Sequence, residues 1–177
     1  MNLGPGLRRG ERWGLGRNRK SARVVHLPRP GRRHMSSAIP SLNETLGQQR
    51  VVSNADGRAV IEYLAGAHMC HSGGVVQGGF ISGWVDAAMA HAAMNAAGGE
   101  VTPMSLELKV SFFAPARPGL VIAEGWVERQ GRSVCFLEGR LTDAAGAVLA
   151  KASSTVRLMD RARVEGAARA ATEMPSP

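Results

Sequence analysis

The stretch His71–Gly98, HSGGVVQGGFISGWVDAAMAHAAMNAAG, decides how the rest of the chain must be arranged. It reads as a glycine-rich loop feeding a long helix that is apolar nearly all the way round, with Asp86 the only formal charge from Phe80 to Ala97. Such a helix has no solvent face and must be wrapped by something. A carboxylate inside it needs a reason, because a buried charge is costly unless it is paired. The plain structural reason would be a local hydroxyl, and Ser82 lies one turn earlier.

Downstream the period changes. Met104–Phe113, MSLELKVSFF, puts Met104, Leu106, Leu108, Val110 and Phe112 on one face and Ser105, Glu107, Lys109 and Ser111 on the other, a half-buried strand. The loop Ala114–Gly119, APARPG, stops it, since Pro115 and Pro118 cannot donate to a ladder. Leu120–Arg129, Ser133–Thr142 and Ala147–Leu158 follow as three more strands, joined through Gln130-Gly131-Arg132 and Asp143–Gly146, both of hairpin length. Upstream, Ala59–Gly66 alternates enough to be a first strand, and Ser41–Arg50 suits a short helical turn. One apolar helix between a first strand and a four-strand antiparallel meander has one simple solution. The sheet curls round the helix and buries it, an α+β fold with five strands.

Charge is distributed unevenly. Residues 1–34 carry ten Lys/Arg against Glu11 alone, or +9 of the net +8, and the other 143 residues, with twelve Lys/Arg and thirteen Asp/Glu, sum to −1. The basic character therefore belongs to a tail, and nucleic acid is not the expected partner of the folded part. Residues 1–40 mix Gly, Pro, Arg and Ser without periodicity and are expected to be a disordered basic extension. A targeting peptide or a nucleic-acid arm are the other readings of it, and Met35 after the last basic cluster fits a start codon assigned too far upstream. The folded domain is expected over 41–160 and a flexible tail over 161–177. Two cysteines, Cys70 and Cys135, make no disulfide framework, and no apolar run is long enough to span a membrane. A soluble cytoplasmic protein is the expectation.

The segment Val76–Met89, VQGGFISGWVDAAM, resembles the signature of hot-dog acyl-CoA thioesterases of the phenylacetate-pathway (PaaI) type. That family places His-Gly-Gly or Gln-Gly-Gly at the helix start and an acid eight residues after the first glycine. Val110–Gly119 and the hairpin Gly131-Arg132-Ser133 fit it as well, so the resemblance covers residues 58–158. It implies a hot-dog fold, hydrolysis of an acyl thioester to free acid and CoA, and a homodimer or a dimer of dimers. It also departs in places, with Gln77 where the family often has His, and His71 near the place of a family Asn.

The chemistry follows from the residue types. The first N–H groups of a helix have no intrahelical partner, and Gly78 and Gly79 have no side chains to keep a substrate carbonyl away. Their amides, with Gln77, suit an oxyanion hole. Close helix packing is the other reading of the glycines. Asp86 suits a general base or a nucleophile, with Ser105, at a position where relatives carry a hydroxyl that orients water, or His71 assisting. Gly78 and Asp86 are separated by eight residues, about 12 Å along one helix at ~1.5 Å per residue, so they cannot serve one carbonyl. Two helices antiparallel about a two-fold axis would bring Gly78 of one opposite Asp86 of the other, giving two sites at a dimer interface. Phe80, Trp84 and Phe112 are candidates for the acyl pocket, and Arg117 and Arg132 for the CoA phosphates.

His68, Cys70 and His71 lack a second ligand group at metal-site spacing, so no metal is expected, nor any cofactor apart from the CoA of the substrate. His91 does not share a helix face with Asp86 and reads as a core or interface histidine. The main alternative is a non-catalytic acyl-thioester-binding or regulatory protein on the same fold.

Overall fold

The computed structural model describes residues 40–172. The basic extension expected at 1–40 lies outside them except for Pro40, as does the end of the tail. A capping box in which Ser41 and Glu44 exchange hydrogen bonds starts a one-turn helix, α1 (Leu42–Thr45). Two strands follow, β1 (Gln48–Ala55) and β2 (Arg58–Ala65), then a short 3-10 turn, Ala67–Met69. The long helix α2 (Gly78–Ala96) leads into β3 (Val101–Phe112), β4 (Gly119–Gln130), β5 (Val134–Asp143) and β6 (Val148–Asp160), and α3 (Arg161–Thr172) closes the described chain. All strands join one antiparallel sheet in the order β1-β2-β4-β5-β6-β3.

The expected hot-dog arrangement is present with one correction, six strands instead of five. The extra strand is β1, joined to β2 through Asp56-Gly57, both at positive φ (52° and 69°) between the paired residues Ala55 and Arg58. This is the two-residue turn whose twist suits a hairpin, and Asp-Gly is among its preferred sequences. Within the expected tail, 161–172 form a helix of twelve residues.

The sheet lets the helix come close along a trough of small side chains. Ala59, Gly125, Gly139 and Ala152 are cross-strand neighbours on β2, β4, β5 and β6. A Cβ at Gly125 would stand 2.6 Å from Met89 Cα and nearer still to the peptide joining Ala88 to Met89, so helix backbone rests directly on the glycine. Ile81, Trp84, Val85, Ala88, Met89, Ala92 and Ala93 form the buried stripe of α2, at the 3-4-3-4 spacing of one helix face. Trp84 is fully buried, stacks on Tyr63 at 5.8 Å and donates its indole N–H to Leu46 O at 2.8 Å, which ties α1 to the core. Burial pushes the Tyr63 hydroxyl up to about 12, and the hydroxyl has no hydrogen-bond partner among the described residues.

The expectation that the sheet would bury the helix on all sides does not hold for a single chain. Ser82, Gly83, Asp86, Ala87, Ala90, His91 and Met94 remain only half-buried along the opposite face. Beside that face runs β3, an edge strand, with Met104, Leu106, Leu108 and Phe112 exposed. It is not the half-buried strand its alternation suggested.

Candidate active site

Asp86 lies in the middle of α2, on its uncovered face, and its Oδ1 accepts a hydrogen bond from Ser105 Oγ on β3 at 3.1 Å. Simple alternation along β3 would have kept Ser105 on the outer face with Glu107. A β-bulge changes that, because the register with β6 slips between Ser105 and Glu107 and leaves Leu106 as the extra residue. Paired residues share a face of the sheet. Ser105 stands opposite buried Val156, and after the bulge Leu108, Val110 and Phe112 stand opposite Ser154, Ala152 and Ala150, also buried. Ser105 thus joins the helix side with the apolar residues, and Glu107 and Lys109 stay outside. Ser82, the alternative partner for the acid, donates instead to Gly78 O at 2.9 Å.

The helix start is built by Gln77, the N-cap, whose Oε1 accepts from Gly79 N at 2.6 Å. That bond fixes the side chain, since an N–H donor needs the amide oxygen and turns Nε2 away from it as a free donor. It also corrects the expected oxyanion hole. The Gly79 amide is taken by its own cap, which leaves Gly78 N–H, with no acceptor among the described residues, and Gln77 Nε2 as the available donors. A Cβ at Gly78 would meet the exposed Phe112 ring at 3.2 Å, so a larger residue there needs that ring to shift by a few tenths of an ångström.

These groups open on a cavity of 420 Å³ lined by His71, Val75–Gly78, Ile81 and Phe112–Ala116. Its loop is closed on itself, with His71 N bonded to Val75 O and Gly74 N to His71 O. Gly73 N donates to His71 Nδ1 at 3.0 Å, so the ring proton of the neutral imidazole sits on Nε2 and makes that nitrogen a donor. His71 and Gln77 are the two polar side chains of an otherwise apolar lining.

The model of the thioesterase superfamily matches residues 73–150 of the chain. A Saccharolobus solfataricus protein named as a candidate esterase is 35% identical over 105 residues, covering 58% of this chain and 73% of that one. The chain belongs to the thioesterase superfamily. A crystallised candidate thioesterase from Ralstonia eutropha JMP134, a phenylacetic acid degradation-related protein, has a TM-score of 0.62 at 28% identity over 68% of this chain and 92% of that one. A hypothetical thioesterase protein of Streptococcus pneumoniae TIGR4, solved with coenzyme A, shares the fold at 16% identity, with a TM-score of 0.59 over 63% and 88% of the two chains. The protein is accordingly a thioester hydrolase of the hot-dog fold, resembling the PaaI group.

The structure sets the expected aromatic and basic residues apart from one another. Trp84 is sealed in the core and Phe80, 6.4 Å from it, packs on that core, so neither lines the cavity, whereas Phe112 does. Arg117, at a second cavity of 560 Å³, precedes β4, and Arg132 follows it. Twelve residues of strand put the two arginines roughly 40 Å apart at ~3.3 Å per residue, too far to hold one substrate's phosphates within one chain. Lining residues the sequence did not single out include Val75, which flanks the motif, and Ile81 and Phe113, which lie inside the matching segments. His91 is half-buried on the uncovered face, and desolvation holds its imidazole below the ordinary range. Among the described residues no three His, Cys, Asp or Glu side chains gather as metal ligands, and no helix is long and apolar enough to cross a membrane.

Proposed function

We propose that this thioesterase hydrolyses acyl-CoA thioesters at two equivalent sites, each formed between two copies of the chain. The observation that carries the reading is the Asp86–Ser105 pair, a carboxylate and its orienting hydroxyl held at 3.1 Å on a face that one chain leaves uncovered. Gly78 N–H and Gln77 Nε2 of one subunit bind the thioester carbonyl oxygen and stabilise the negative charge that develops on it. Asp86 of the partner subunit, oriented by its Ser105, takes the proton of a water that attacks the carbonyl carbon, or attacks that carbon itself. Collapse of the tetrahedral intermediate breaks the C–S bond and releases the CoA thiolate, which on the first route takes the proton held by Asp86. On the second route collapse leaves an anhydride of Asp86 and the acyl group, which water hydrolyses to the free acid and the regenerated carboxylate. The reaction needs water and no separate cofactor.

Two features support a second copy. Met104, Leu106 and Phe112 are exposed on an unpaired edge strand of twelve residues, which is an unusual surface for a protein to leave open. The uncovered face of α2 continues that surface. CoA as the thiol is supported by the hot-dog thioesterase protein solved with coenzyme A, and Arg117 or Arg132 would meet its phosphates.

Thiol release from a panel of acyl-CoAs by wild type and Asp86→Asn tests the assignment, and equal rates would overturn it. Heavy-oxygen water in a single turnover separates the two roles of Asp86, because label retained in its side chain marks a nucleophile. Mixing Asp86→Asn with Gly78→Val subunits tests the shared site. A heterodimer regains one intact site, so two inactive proteins should give an active mixture.

A further inference from the structure

Ser154 on β6 is a serine buried among apolar neighbours, at 4% exposure. Its cross-strand neighbours are Leu137 on β5 and Leu108 on β3, and Ala152 and Val156 flank it on its own face. An apolar residue would pack there without the cost of burying a hydroxyl. The hydroxyl has one partner, the carbonyl oxygen of Glu107, to which Ser154 Oγ donates at 2.8 Å. Glu107 is the residue at which β3 regains register after the bulge.

We propose that Ser154 is a positioning residue for the Asp86–Ser105 pair, pinning the bulge that turns Ser105 toward the helix. The inference rests on the proposed role of that pair. Its logic lies in the sheet. β3 is an edge strand and within one chain is held on one side only, by β6, so a bulge in it has no second neighbour to fix its place. Sliding it past Ser105 would return that side chain to the outer face, because side chains alternate with a period of two. Asp86 would then lose its hydroxyl partner. A hydrogen bond from the buried side of β6 to the first carbonyl beyond the bulge holds the slip between Ser105 and Glu107. Ser154 touches neither substrate nor Asp86 and acts through Ser105.

The test is a double-mutant cycle on acyl-CoA hydrolysis. Ser154→Ala is expected to lower kcat about three- to tenfold, the factor worth roughly one hydrogen bond, with KM within about twofold. Ser154→Thr, which keeps the hydroxyl, should restore kcat. In a Ser105→Ala background Ser154→Ala should cost nothing further in kcat, although it lowers the melting temperature in both backgrounds. Ser154→Cys keeps the volume with a weak donor and is read by the same criteria if the alanine variant does not fold. An unchanged kcat, or an equal loss with and without Ser105, would overturn the inference. Asp86→Asn in the same series separates the two levels. A fully active Asp86→Asn sinks the reading of the site, whereas an inactive one beside an unimpaired Ser154→Ala sinks only the positioning role.

Discussion

Replacing Gly125 by alanine should be among the most damaging single-methyl additions in the chain. The new Cβ would lie 2.6 Å from Met89 Cα, where unbonded carbons rest at ~3.5–4.0 Å, so helix and sheet must separate by about 1 Å. Rotamer changes give no relief, because the atoms met are backbone. A gap of that size forfeits about a quarter to a half of the dispersion energy of each contact across it. The loss falls on a seven-residue buried stripe that includes Trp84 and Met89. We expect a cost of about 3 kcal/mol, at the upper end for an overpacked core, or roughly 6–12 °C in Tm for a domain of this size. Urea unfolding followed by circular dichroism measures it as a lower midpoint at unchanged slope. Gly166→Ala is the control. It lies on α3 with open space around it and should stabilise by about 0.5–1 kcal/mol. A Gly125→Ala protein within about 1 kcal/mol of wild type would refute the claim that helix backbone rests on that glycine.

Leu106→Asp, at a bulge residue 63% exposed on the edge strand, should leave the far-UV spectrum intact and yield monomers by light scattering, with hydrolysis lost. Trp84→Phe deletes the indole bond to Leu46 O and opens a void, which should cost about 2–3 kcal/mol by denaturation. Glu124 gives a pH signature. Burial would raise its carboxyl, but hydrogen bonds from Arg58 and Arg140 outweigh that and hold it below the ordinary range. The folded state therefore binds fewer protons than the unfolded chain near pH ~4.3. This stabilisation is complete above that pH and lost as pH falls through the lowered value, so Glu124→Gln should flatten the acid limb of stability against pH.

The fold was legible where one period dominates. Helix α2 and strands β3 to β6 lie where apolar periodicity places them, and the glycines and prolines between them mark the turns. What was missed has physical causes. β1 is exposed along nearly its whole length and bulged twice against β2, so Gln48–Ala55 carries no alternation to read. Its one local signal, Asp56-Gly57, lies in the turn. The residues of the proposed site, Gln77, Gly78, Asp86, Ser105 and His71, stand out in the sequence by type. Their geometry does not. A bulge leaves no mark in a pattern of alternation and reverses the face of every residue beyond it. The cap that takes up Gly79's amide likewise depends on a rotamer. Trp84 lies in the core and not on the cavity, and sequence does not separate the two because an aromatic side chain suits either.

The uncovered face of α2 also bears on how activity should depend on concentration. On a separate chain Asp86 is half-exposed and already has its hydroxyl partner, so folding alone leaves it in contact with water. The other half of the proposed site, Gly78 N–H and Gln77 Nε2, lies two turns away on the same helix, beyond the reach of the same carbonyl. If assembly completes the site, specific activity must follow the dimer population. It should fall on dilution below the dimer dissociation constant and recover on concentration, at a midpoint matching that from sedimentation. Leu106→Asp should push both midpoints up together. A specific activity constant across a dilution series in which sedimentation shows dimers giving way to monomers would mean that one chain holds a complete site. The pairing of Gly78 with the partner's Asp86 would then be wrong, whatever the role of Asp86 itself.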